Sequence, residues 1–182
     1  MLITLKNLVG TKAITNEDDL LDIADQILSL GDMNEIVSQI DEQTLHAFIM
    51  MNIIGNWKGD GWGGILENYE FLPFIEKALR AFQLNTMAGH WHQLLSLFPM
   101  NPCDVEVQKN FYDYHNFLIN TRFKINDEAL QLIDPEVRKS LSSQYQSLLI
   151  TLDDEAEQYW AYNAPNQEGW GAVIDYLQKC SV

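Results

Sequence analysis

The chain has 182 residues, 47% of them hydrophobic and 20% charged, with 10 Gly, 5 Pro and 2 Cys. This balance excludes a disordered tail, a collagen-like fibre and a disulfide-stapled miniprotein, and the length suits one domain over residues 1–182. Its 26 acidic and 11 basic side chains leave a formal charge of −15, which repels nucleic-acid phosphates and anionic membranes and favours a basic protein as partner.

From the N-terminus, Leu2 to Val9 alternates apolar and polar residues and reads as an isolated strand. It lacks the continuous apolar core and cleavage site of a signal peptide. Thr15 with Asp18 forms a weak capping box, after which Leu20, Leu21, Ala24, Ile27 and Leu28 recur at helical spacing until Gly31. Asp32 caps a short helix carrying Ile36, Val37 and Ile40, and Asp41 or Thr44 opens a third with Leu45, Phe48, Ile49 and Met50. The longest apolar stretch, Ala47 to Ile54, falls far below the roughly 20 residues of a membrane span. A Gly-rich loop is expected from Gly55 to Gly64, then a helical turn from Ile65 to Asn68.

Phe71 to Phe82 reads as a helix with Pro73 in its first turn, where a missing N–H costs little. Asn85 caps the next, with Trp91, Leu94, Leu95 and Phe98, which ends at Pro99. Pro102 and Asp104 start a longer helix through Val107, Phe111, Tyr114, Phe117 and Leu118, and Asn126 caps a segment with Ala129, Leu130 and Ile133. Asp134-Pro135 opens a helix with Val137, Leu141, Tyr145 and Leu148. Thr151 with Asp154 reads as the cap of a separate helix bearing Ala156, Tyr159 and Trp160, and Trp170 to Cys180 forms the last after Pro165. The pattern predicts an all-α domain of about nine or ten helices.

The net charge is −7 over residues 1–60, −2 over 61–122 and −6 over 123–182. The nearly neutral, aromatic-rich middle, with Trp62, Phe71, Phe74, Phe82, Trp91, Phe98, Phe111 and Phe117, is the expected core, and the acidic ends are the expected solvated surfaces. Gly61-Trp62-Gly63-Gly64 and Gly169-Trp170-Gly171-Ala172 echo one another. Both read as helix starts where glycines allow a tight turn and a Trp packs over the first turn.

Few residues match a reaction. Gly59-Asp60-Gly61-Trp62-Gly63-Gly64 satisfies G-x-G-x-x-G, but the apolar run before it ends a helix rather than a strand, so no dinucleotide site is expected. His90 and His92 lie about 200° apart on a helix and cannot chelate one ion. No nucleophile elbow and no local Cys–His signature occurs. Neither cofactor nor metal is expected, and Cys103 and Cys180 read as reduced thiols of a cytoplasmic protein. A hydrolase-type enzyme using His90, His92, His115 and carboxylates is the alternative to a binding protein.

The acidic clusters are more informative. Asp18, Asp22 and Asp25 fall in a narrow arc opposite the first apolar stripe, with Asp19 beside them. Asp153, Asp154 and Glu157 make a similar arc further on. The helix dipole favours carboxylates in a first turn, but it does not account for Asp22, Asp25 or Glu157. Carboxylate rows on a rigid helix can imitate the phosphates of a duplex and occupy a basic groove. The seven carboxylates are the expected partner-binding residues.

The stretch from Gly61 to Pro99 resembles the bacterial DNA-mimic-protein-like family: a Gly-Gly turn, a short helix ending in Asn, an "ALR"-type helix and a helix ending in Phe-Pro. Gly63, Gly64, Asn68, Ala78, Leu79, Phe98 and Pro99 carry the match, with Ile65 in place of the usual aromatic. The resemblance implies an acidic, all-helical protein, in some members proposed to bind DNA-binding proteins by imitating DNA. The expected function is therefore non-catalytic binding of a basic protein, as a DNA mimic or as an immunity or antitoxin protein against a nuclease toxin, by a monomer or homodimer.

Overall fold

In the computed structural model, which describes residues 2–10 and 13–180, the chain is helical throughout. The segments are α1 (Leu5–Val9), α2 (Glu17–Leu28), α3 (Met33–Gln39), α4 (Glu42–Glu67), a 3₁₀ turn (Tyr69–Phe71), α5 (Leu72–Ala81), α6 (Asn85–Ser96), α7 (Val105–Gln108), α8 (Phe111–Ile119), α9 (Glu128–Gln131), α10 (Pro135–Trp160), α11 (Pro165–Glu168) and α12 (Trp170–Cys180). No strand occurs among the described residues. The first residues form α1 with Leu5 and Val9 buried one turn apart, and Ile3 makes only an isolated parallel bridge to Ile40.

Asp32, Asp41 and Asp134 cap helices where the sequence suggests, whereas the helices that start at Asn85 and Val105 have no side-chain cap. The Asp32 carboxylate accepts from the Asn34 and Glu35 N–H groups while Glu35 reaches back to the Asp32 N–H, a complete capping box. Asp41 accepts from the Thr44 N–H and Asp134 from the Glu136 N–H. On α2 the cap moves one residue, from Thr15 to Asn16, whose side chain accepts from the Asp19 N–H.

Two long helices depart from expectation. α4 runs straight through Gly55–Asp60, although each interior glycine costs about 0.8–1 kcal/mol against alanine. Its side chains are anchored on both sides: Trp57 hydrogen-bonds Asp153 of α10 and Lys58 pairs with Glu168 at 2.8 Å. The break comes only at Gly61, with φ 63° and ψ −163°, a conformation reserved for glycine. α10 is a single helix of 26 residues rather than two. Thr151 caps nothing, its hydroxyl donating back to the Ser147 carbonyl at 3.0 Å. The stripe Tyr145, Leu152, Ala156 and Trp160 stays buried across the expected junction. The helix expected after Pro102 divides instead into α7 and α8 at Lys109-Asn110.

Helix α4 packs on α5, α10 and α12, and α6 packs on α5 and α10. At their meeting point Trp62, Trp91 and Trp160 are almost wholly buried, with ring centroids 5.1 Å apart for Trp62–Trp91 and 5.9 Å for Trp62–Trp160. The middle third supplies Trp62 and Trp91 as expected, but Trp160 comes from the last third, and Leu20, Ile27, Leu152 and Leu177 extend one buried cluster to both ends of the chain. Arg138 closes the loop after α8, its guanidinium donating to the Phe117, Asn120 and Phe123 carbonyls and stacking 3.9 Å from the Phe117 ring centroid. A cation at these late carbonyls also suits the dipole of α8.

Candidate functional site

Helix α2 carries the clearest two-sided surface. Leu20, Ile23 and Ile27 are buried against the rest of the bundle, which includes α1 and α4. Asp18, Asp22 and Asp25 are exposed, as expected, and Glu17 joins them. Asp19 is half-buried and does local work, its carboxylate accepting the N–H and hydroxyl of Thr15. The inward stripe is rotated from expectation: Leu21 is 55% and Leu28 49% exposed, and Ile23 takes their place.

The α10 arc divides. Asp154 and Glu157 face solvent. Asp153 turns inward, where one oxygen, Oδ1, accepts both the Trp57 indole N–H at 2.9 Å and the Trp62 backbone N–H at 3.2 Å. The Trp62 N–H is freed by the break at Gly61, so Asp153 serves as the N-terminal cap of the second half of α4. This corrects the expectation that Asp153 faces a partner. The indole N–H of Trp62 donates to the Leu152 carbonyl, fixing the same junction.

Leu21, Ala24, Asp25 and Leu28 line a groove of about 270 Å³ between α2 and α4, with Met51 and Gly55 opposite and Trp170 also lining it. Nothing stands within 4 Å of where a Gly55 Cβ would lie, so the α4 wall is low at its centre. Periodicity alone missed this feature, because it reports which residues are apolar and not how much of them a neighbour covers. The available signal was the width of the stripe in a 12-residue helix, broader than one packed face needs.

The three histidines of the enzymatic alternative are held apart by different partners. His90 pairs with Glu155 at 3.0 Å, His92 with Glu76 at 3.0 Å, and His115 Nε2 lies 2.6 Å from the Tyr145 hydroxyl. Among the described residues no group of three or more His, Cys, Asp and Glu side chains is placed to hold a metal ion. The glycines of residues 59–64 lie within α4, not between a strand and a helix. No helix among the described residues is long and apolar enough to cross a membrane.

No family model, curated protein or solved structure matches this chain. The reading of its surface therefore rests on its own geometry.

Burial pushes the His115 imidazole below the ordinary histidine range and the Tyr145 hydroxyl upward. Phe98 and Phe111 complete the apolar surroundings. His115 is thus neutral in the folded chain at neutral pH, whereas the unfolded chain binds its proton near pH 6.5. Its contribution is complete above that value and is lost as pH falls toward the folded pKa, with a slope of at most about 1.4 kcal/mol per pH unit. Urea unfolding at pH 7 and pH 5 should show a loss in the parent that His115→Gln reduces. An identical pH dependence in the two proteins would refute this assignment.

Proposed function

We propose that the chain is a non-catalytic binding protein whose α2 carboxylates engage a basic protein, as a DNA mimic or as an inhibitor of a nuclease toxin. The observation that carries the reading is the exposure of Glu17, Asp18 and Asp25 on a helix whose opposite face is fixed in the core. The helix dipole accounts for Glu17 and Asp18 in the first turn but not for Asp25, and the like-charge spacings Asp18–Asp22 and Asp22–Asp25 cost about 0.2–0.5 kcal/mol a pair. With a rise of 1.5 Å per residue, Asp18, Asp22 and Asp25 succeed one another about 6 and 4.5 Å along the axis. That is sparser than the one charge per roughly 3.4 Å of a single strand of a duplex, so the row offers a basic groove three charges without matching phosphate spacing. Asp154 and Glu157 are exposed on a second helix that, like α2, packs on α4.

Binding and folding should separate in the double variant Asp18→Asn/Asp25→Asn. Immobilised parent chain exposed to native lysate at low salt should retain a small set of basic proteins, and the variant should retain far less of them. The variant's melting temperature should equal or slightly exceed the parent's, because repulsive neighbours of Asp22 are removed. Equal retention of the same proteins by both chains would remove this face from the function.

A further inference from the structure

The acidic row of α2 does not stand alone. The edge of the helix that carries Leu21, Asp25 and Leu28 forms one wall of the groove against α4. On the other wall the Asn52 amide N–H donates to the Phe48 carbonyl, and Asn56 both donates to the Asn52 carbonyl and accepts from Asn68, while the Trp170 indole N–H is buried without a partner. What the groove mainly offers a visitor is apolar surface, from the exposed Leu21 and Leu28, edged by carboxylates at Glu17 and Asp25. Its volume of about 270 Å³ lies below the roughly 300–1,000 Å³ of cofactor and small-molecule sites and suits one or two large aliphatic side chains.

We infer that this groove docks a basic segment of the partner, inserting an aliphatic side chain over Gly55 while flanking Lys or Arg side chains pair with Glu17 and Asp25. The inference rests on the proposed function and adds to it an apolar anchor that imitation of phosphates alone does not require. Charge selects the occupant. A second copy of the chain would bring two molecules of charge −15 and two acidic rows together, whereas a cationic segment neutralises the rim as it fills the groove. The arrangement is that of an anchor in a pocket with a charged rim, where the anchor supplies most of the affinity and the rim steers encounter.

Two synthetic helix-forming peptides of equal positive charge separate the anchor from the charge. One carries leucines among its lysines at i, i+4 spacing, and the other has serine at those positions. Each is titrated into the isotope-labelled full chain, and the methyl resonances of Leu21 and Leu28 and the indole N–H of Trp170 are followed. The leucine peptide should shift these groove signals saturably and bind about tenfold tighter than the serine peptide, the least that burying one leucine supplies. Gly55→Leu should abolish that difference while leaving the serine peptide's affinity unchanged. The variant should fold, since a Cβ at Gly55 meets nothing within 4 Å and leucine favours a helix over glycine.

If both peptides bind equally and the groove signals stay still, the groove proposal is overturned while the acidic-face reading survives. If neither peptide binds, the acidic-face reading fails as well. Groove signals that move with protein concentration in the absence of peptide would assign the groove to a second copy of the chain and overturn the inference.

Discussion

Replacing Asp153 by alanine should lower the stability of the fold by about 2–4 kcal/mol, because two inward-facing donors lose their acceptor and each costs about 1–3 kcal/mol. In a chain of this size that corresponds to a fall of roughly 5–15 °C in melting temperature. The carboxylate binds the Trp57 indole N–H and the Trp62 N–H through one oxygen, so Asp153→Asn, which keeps an oxygen there, should lose much less. The site lies on the tryptophan centre: Trp57 meets Trp160 at 5.9 Å between ring centroids, and Trp160 meets Trp62. Loss of the cap should therefore also redshift tryptophan emission before global unfolding. Urea titration of the three proteins checks the order parent, Asn, Ala. An alanine variant as stable as the parent would mean that the junction of α4 and α10 is held by the indole packing alone.

Glycines of this chain should divide by sign. Gly61→Ala and Gly169→Ala should each cost several kcal/mol. Gly61 has φ 63° and ψ −163°, and a Cβ there would lie 3.2 Å from the Asp153 carboxylate. Gly169 has φ 93°, and its Cβ would lie 2.5 Å from Cδ1 of Trp160, a ring only 2% exposed. Strained backbone costs about 1–3 kcal/mol, and overpacking a filled core about 1–3 more. Gly55→Ala and Gly59→Ala, inside α4 with open space around the added carbon, should instead stabilise by about 0.5–1 kcal/mol each. Thermal melts of the four single variants decide the matter. Uniform destabilisation would contradict the continuous helix across residues 55–60, and uniform tolerance would contradict the backbone at Gly61 and Gly169.

In the two Gly-Trp repeats the first glycine, Gly61 or Gly169, adopts a positive φ and the tryptophan begins a helical run, as the local sequence suggests. The same holds for Asp32, Asp41 and Asp134, whose capping depends on neighbours within three residues. Features set by distant contacts depart from the local pattern. Gly55 to Asp60 looked like a loop because glycine propensity is local, whereas Trp57 and Lys58 hold those turns through residues 96 and 110 positions away. Thr151 and Asp154 mimicked a cap, yet the buried stripe of α10 passes through without a break. At the candidate site the exposed carboxylates Asp18, Asp22, Asp25, Asp154 and Glu157 were visible in the sequence. The inward turn of Asp153 and the uncovered Leu21 and Leu28 were not, since both depend on how α4 packs against α10 and α2.

Attraction of a basic protein by the α2 carboxylates is checked by the association rate of the protein retained on the parent chain, measured against ionic strength. The Debye length shortens from about 30 Å at 0.01 M to about 8 Å at 0.15 M, so a rate steered by opposed charges should fall steeply over that range. The Asp18→Asn/Asp25→Asn chain should start lower and fall less. A rate that is flat in salt and equal in both chains would contradict that attraction.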